Sequence, residues 1–235
     1  MGSIPAGGAR ERKRRAMFPI SDTHIGKRKF PLINITVIAA TIFIFIQQML
    51  TLDEAALVRS YALVPSLVDF GNLPTLAPFV TAIFLHGGFL HIISNMWFLW
   101  VFGDNVESSL GILLFPILYF LSGIVGNFFQ YILMPSSTIP MLGASGAVAG
   151  VLGAYFVLFP HSKIKTLVPF FGFFTSLSVP ASFMLGYWFV LQVLSGAVAL
   201  PFSGDSGGIA FWAHVGGFVT GVVVAKLFRQ GERAK

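Results

Sequence analysis

The chain has 235 residues, of which 55% are hydrophobic and only 10% charged, with a mean hydropathy of +0.82. A soluble globular domain carries about 25% charged residues, so this is the composition of an integral membrane protein. The absence of cysteine excludes disulfides, thiolate catalysis and Cys-based metal sites. The net charge of +6 would admit nucleic acid as a partner, but its distribution along the chain points to a membrane instead.

Residues 1–30 read as a basic polar tail, with Arg10, Arg12, Lys13, Arg14, Arg15, Lys27, Arg28 and Lys29. Stretches of about 20 apolar residues, the length that crosses a bilayer, follow at 31–50, 88–107, 110–134, 143–160, 181–200 and 208–228. These six spans define a membrane domain over 31–229, with a short tail at 230–235. The first span is too long for a signal-peptide core and lacks a small-residue cleavage site, so it reads as a retained helix. Between spans one and two lies a long connection, 51–87. Its Leu57, Val58, Tyr61, Leu63, Val64, Leu67 and Val68 suit short amphipathic helices at the interface. Residues 166–180 are apolar but short and end at Pro180, which reads as an interfacial segment rather than a seventh crossing.

Lys and Arg orient the bundle. With six spans, the tail cluster, Lys163 and Lys165, and Lys226, Arg229, Arg233 and Lys235 all fall on one side, leaving Arg59 alone on the other. The positive-inside rule then makes both termini cytoplasmic and the long first loop external. A five- or seven-span count destroys this asymmetry.

Spans two, four and six run from outside to inside, so their first turns share one level. His91 and Asn95, Ser145, and His214 all fall there, within roughly 10 Å of the outer boundary at 1.5 Å rise per residue. Polar groups at membrane depth are costly and mark functional sites by default. His91 and Asn95, four apart, share a helix face. Gly146 and Gly150 form one small-xxx-small face beside Ser145, and Gly217 and Gly221 form another beside His214. Such faces let two helices approach closely, as a serine nucleophile and a histidine base require. Each feature alone has a plainer reading, as packing glycines, a Ser bonded to its preceding turn, or an interhelical His–Asn pair. Their coincidence at one depth favours chemistry.

Four other readings fall away. Gly204-Asp205-Ser206-Gly207-Gly208 spells a soluble serine-protease nucleophile motif, but it lies in an external loop rich in turn residues. His-Glu-x-x-His is absent, and Asp104 has no facing aspartate at its depth, so neither a metalloprotease nor an aspartyl protease fits. No cofactor or metal is implied. The absence of internal repeats also argues against a transporter.

Gly143-Ala144-Ser145-Gly146, Ala213-His214-Val215-Gly216-Gly217 with Gly221, and His86 followed by His91-Ile92-Ile93-Ser94-Asn95 resemble the rhomboid intramembrane serine proteases. The six-span order, the long first loop and Glu107 followed by Gly111 are similar too, and the resemblance runs from Phe18 to Phe228. It implies an all-α polytopic six-helix bundle and a catalytic dyad of Ser145 and His214 without a carboxylate third member. The oxyanion contributors carried over are His91, Asn95 and the Ser145 backbone N–H. Gly143, Gly146, Gly150, Gly217 and Gly221 become packing supports. Expected partners are transmembrane protein substrates and the bilayer of a prokaryotic plasma membrane, with no nucleic acid and no set oligomeric state. By family analogy, span five, near Phe183, Trp188 and Phe189, and the loop before span six form a gate. The rival reading is a proteolytically inactive relative that binds membrane clients.

Two positions depart from the family's pattern. Many members carry Trp-Arg in the first loop, where this chain has Ala77-Pro78-Phe79-Val80. Some place an aromatic one turn below the nucleophile, where this chain has Ala149, which leaves the group orienting His214 unassigned.

Overall fold

A computed structural model describes residues 18–22, 30–170, 173–200 and 209–233. In chain order the elements are strand β1 (Phe18–Asp22), helices α1 (Leu32–Leu50), α2 (Glu54–Tyr61), α3 (Pro78–Thr81), α4 (Phe89–Leu133) and α5 (Ser145–Leu158), strands β2 (Lys163–Phe170) and β3 (Phe173–Pro180), and helices α6 (Ala181–Ala199) and α7 (Phe211–Arg233). Two short 3₁₀ turns, Pro65–Leu67 and Leu73–Leu76, lie between α2 and α3.

The 45 residues of α4 are two spans rather than one. Gly111 sits at φ 82°, ψ 174° in its middle, a backbone conformation that L side chains rarely adopt, and the helix axis breaks there. Together with α1, α5, α6 and α7 these two arms make six apolar spans, an all-α polytopic bundle with a long first loop. By length and composition α1, α4, α6 and α7 can cross a membrane, whereas α5 has only 14 residues, about 21 Å of helix. Its shortness follows from its place. Every residue from Gly146 to Tyr155 is buried, so α5 runs through the middle of the bundle. The non-helical chain leading into it is tolerated at depth because protein, not lipid, surrounds it.

Glycine sets the packing of α5 against α7. A Cβ on Gly217 would lie 2.0 Å from the Gly146 carbonyl oxygen, one on Gly221 would lie 1.9 Å from that of Gly150, and one on Gly153 would lie 2.1 Å from that of Phe218. The third helix of this core is the second arm of α4, where a Cβ on Gly126 would lie 2.5 Å from the Ala213 carbonyl oxygen and Gly150 sits against Ser122. The two small-residue faces read from the sequence therefore meet each other at backbone contact.

The peripheral helix α1 uses polar bonds instead. Its buried residues Asn34, Val37, Thr41, Phe45 and Gln48 follow helical spacing along one face. Pro31 offers no side-chain cap at its start, and Glu107 of α4 fills that role, accepting from Ile33 N–H (3.0 Å) and Asn34 N–H (2.7 Å). At its other end Gln48 pairs with the backbone of His86, accepting from its N–H (3.1 Å) and donating to its C=O (2.7 Å).

The face that carries the C-terminal end of α7 holds a structure absent from the expected architecture. Residues 166–180, read above as one interfacial segment, belong instead to a β-hairpin of β2 and β3 that begins at Lys163. Strand β1, from within the presumed polar tail, adds to it in the order β1-β2-β3, all antiparallel. Ile164 and Thr166 are buried while Lys163 and Lys165 are exposed, the period of two that defines a half-buried strand. A search for 20-residue apolar windows passes over that period. Anchors from the bundle hold β1. The Trp97 indole donates to the Pro19 carbonyl (2.6 Å), and the Asp22 carboxylate accepts from Asn105 and from the Tyr155 hydroxyl. All eight basic residues of the N-terminal tail, and the Asp205-Ser206 loop, lie outside the described residues.

Candidate active site

The chain between α4 and α5 delivers Ser145 along a track fixed by the first loop. Met141 pairs with Leu63 as an isolated antiparallel bridge, with N–H to O distances of 2.7 and 2.9 Å. Gly143 N–H donates to Ala82 O (2.9 Å), and Ala144 N–H donates to His86 Nε2 (3.4 Å). Gly143 has φ 130°, and a Cβ there would also lie 2.7 Å from the His91 ring. Glycine is required at this position by both backbone and space. Ser145 then begins α5, where the first turn leaves backbone N–H groups without intrahelical partners.

Loop bracing, left open by the missing Trp-Arg pair, comes from residues around Phe79. Asn127 donates to the Phe79 carbonyl (2.9 Å), and the Phe79 ring packs edge-on against Tyr131 and tilted against Phe128. Thr81 Oγ1 donates to Tyr61 O (2.7 Å), and Ser66 N–H to Ser137 O (3.0 Å).

Both histidines of the first loop and α4 have a defined neutral tautomer. His86 Nε2 accepts from Ala144 N–H, so its Nδ1 carries the proton, which it donates to Phe84 O (3.2 Å). His86 is fully buried in the loop ahead of α4, and desolvation, reinforced by nearby His91, pushes its pKa down to about 4. His91 Nδ1 accepts from Gly87 N–H (3.4 Å), which leaves the proton on Nε2. Asn95 is buried and spends one amide hydrogen on the His91 carbonyl one turn back (3.1 Å), keeping the other.

His91, Asn95, Ser145 and His214 all line one cavity of about 1040 Å³ between α4, α5, α6 and α7. The Gln130 side chain, also on its wall, caps the start of α7 by accepting from Trp212 N–H (3.0 Å) and Ala213 N–H (3.3 Å). That cap fixes the turn from which His214 projects. Of the three span-five aromatics that the resemblance singles out, Trp188 reaches the cavity, Phe189 stacks on Phe218 at 4.7 Å, and Phe183 is exposed beside Tyr187.

The His214 ring hydrogen-bonds not to Ser145 but to Gln192 of α6, whose Oε1 lies 2.8 Å from Nδ1. Trp188, one turn earlier on the same helix, stacks on the imidazole with centroids 5.8 Å apart and planes 30° from parallel. Sequence reading missed Gln192 and Gln130. The available signal was the type itself: a long amide in the middle of an apolar span is costly unless it is paired.

Comparisons with known proteins agree with this architecture. The Rhomboid domain family matches residues 74–231. The chain is 35% identical over 144 residues to Rhomboid protein 1, mitochondrial, of Saccharomyces cerevisiae, covering 60% of this chain and 38% of that protein. It is 32% identical over 151 residues to Presenilin-associated rhomboid-like protein A, mitochondrial, of Danio rerio, covering 62% and 36%. It is 39% identical over 101 residues to the rhomboid YdcA of Bacillus subtilis, covering 39% and 50%. The chain thus spans half or less of the length of these relatives. With the family match covering the helices that build the cavity, the chain belongs to the rhomboid family.

Proposed function

We propose that this rhomboid is an intramembrane serine endopeptidase that cleaves transmembrane segments of other membrane proteins through a Ser145–His214 dyad. The observation that carries this reading is the shared cavity, onto which a serine at a helix N-terminus and a histidine on the glycine-packed neighbouring helix both open. Ser145 Oγ attacks a substrate carbonyl carbon while His214 Nε2 takes its proton. The resulting oxyanion is met by Asn95 Nδ2–H, His91 Nε2–H and the Ser145 backbone N–H, donors placed before charge develops. Collapse breaks the C–N bond as His214 returns the proton to the leaving amine, and water then hydrolyses the acyl-enzyme by the same route in reverse. No carboxylate lines the cavity among the described residues, which fits a dyad rather than a triad.

The lysine and arginine asymmetry supports termini on the cytoplasmic side, with the cavity opening toward the outer face. A prokaryotic plasma membrane suits that arrangement and the Bacillus subtilis relative, while the yeast and zebrafish relatives are named as mitochondrial.

The test is reaction with a fluorophosphonate serine-hydrolase probe in detergent micelles. Wild-type protein is labelled at Ser145, and labelling is lost in Ser145→Ala and in His214→Ala. A folded wild-type chain that stays unlabelled would make it an inactive, client-binding rhomboid.

A further inference from the structure

A Ser–His pair without a carboxylate leaves one question of physical chemistry open. A neutral imidazole can carry its proton on either nitrogen, and only the Nδ1–H form leaves Nε2 as a base. In a carboxylate triad the third residue selects that form, and its absence costs catalysis through the wrong tautomer. Something else must select it here.

The ring of His214 is buried and touched from one side by α6. Gln192 Oε1 is only an acceptor, so at 2.8 Å from Nδ1 it requires the proton on Nδ1. Four residues earlier, and therefore on the same face of α6, Trp188 lies over the ring and limits its rotation. Ala149, at the α5 position where an aromatic could have supported the ring, lines the same cavity and offers only a methyl group there. Gln192 is half-buried and does not line the cavity, so it sits behind the imidazole rather than in the path of substrate. Among the described residues, His91 is the one other titratable group on the cavity wall.

We infer that Gln192 is the positioning residue for the catalytic base, its side-chain carbonyl holding His214 in the Nδ1–H tautomer so that Nε2 is free to take the proton of Ser145. This rests on the protease reading for its consequence, though not for its geometry. An amide oxygen selects the tautomer without adding charge. It also continues to accept from Nδ1–H when His214 becomes imidazolium, so the bond is kept through the proton transfer. Because Trp188 and Gln192 both come from α6, the base is aligned by a different helix from the one that carries it. Displacement of α6 would therefore weaken the base as well as widen the cavity.

The experiment combines kinetics with ¹⁵N NMR of His214 in the full-length protein in micelles. Gln192→Leu is expected to lose roughly 10- to 100-fold in kcat on a transmembrane substrate, part of the 10²–10⁴-fold a positioned general base supplies, with KM within about twofold of wild type. Gln192→Glu keeps the acceptor and adds negative charge beside the ring. That charge favours the protonated imidazole, so a higher pH is needed to free the base and the acid limb of the kcat/KM profile moves upward. Wild-type ¹⁵N shifts should show Nδ1 protonated, and Gln192→Leu should lose that preference. Turnover of Gln192→Leu within twofold of wild type, an unmoved acid limb in Gln192→Glu, or a wild-type ring protonated at Nε2 would each overturn the inference. Should wild type prove inert to the serine probe, the protease reading fails by itself. The tautomer shifts still decide whether Gln192 orients the ring.

Discussion

Helices α6 and α7 have the same mean hydropathy over their most apolar windows, 1.5, yet α7 buries 44% of that window inside the protein and α6 only 17%. Lipid tails are as apolar as leucine, so hydrophobicity does not decide which span is central. The difference lies in side-chain size. Helix α7 presents Gly217 and Gly221 and touches α5 backbone to backbone, while α6 meets α7 through rings, with Phe189 and Trp188 against Phe218 and Gly196 against Trp212. Backbone contact leaves one seating for a helix, whereas ring contact can slide or repack. Ser145 and His214 sit on the sealed pair, and Gln192, which bonds the His214 ring, sits on the looser neighbour.

The largest effect should come from breaking the seal. Gly221→Leu would drive a side chain into the Gly150 carbonyl, 1.9 Å from the new Cβ. Overpacking ordinarily costs about 1–3 kcal/mol, and a backbone obstacle that cannot yield puts this variant at or above the upper end. Thermal unfolding in detergent should show a collapsed midpoint together with lost probe labelling. A variant as stable as wild type would mean that the α5–α7 contact is not what centres α7.

A peripheral helix held by polar bonds gives an intermediate case. Glu107→Ala strips the start of α1 of the acceptor for two backbone N–H groups, each costing about 1–3 kcal/mol if left buried and unpaired. Ile33 is only partly buried, so its N–H can reach water or headgroups, whereas that of Asn34 is buried and should carry most of the cost, one group's share of that range. Denaturant titration monitored by proteolysis near the start of α1 would measure it. No change in protection there would show that apolar packing alone holds α1.

The smallest effect belongs to α6. A Cβ at Gly186 would meet Phe156 Cε2 at 3.7 Å, ordinary van der Waals contact. Gly186→Ala should leave stability within about 1 kcal/mol of wild type and shift it upward, since alanine is the better helix former. A loss larger than this would mean that α6 is seated as tightly as α7, and the contrast between them would dissolve.

The parts of the site legible in the sequence were those governed by depth and spacing. Charge asymmetry and span direction put His91, Asn95, Ser145 and His214 at one level, and the glycine intervals picked out the helix faces that touch. The three-stranded sheet was not legible by that route, because its strands alternate over two residues inside a window judged for overall apolarity. Neither was the role of Gln192. Nothing in its neighbours along α6 indicates that it meets a histidine 22 positions later in the chain.

By itself, then, the sequence determined a six-span membrane bundle, the glycine faces that pack it and the polar residues that gather at one cavity, because hydropathy and helical period are local properties of the chain. Tertiary structure decided which helix is buried, how the first loop steers Ser145 through Leu63, Ala82 and His86, and which side chain meets the His214 ring. Those depend on contacts between residues far apart in sequence. Their geometry is fixed only when backbones close to within the reach of a glycine or a hydrogen bond.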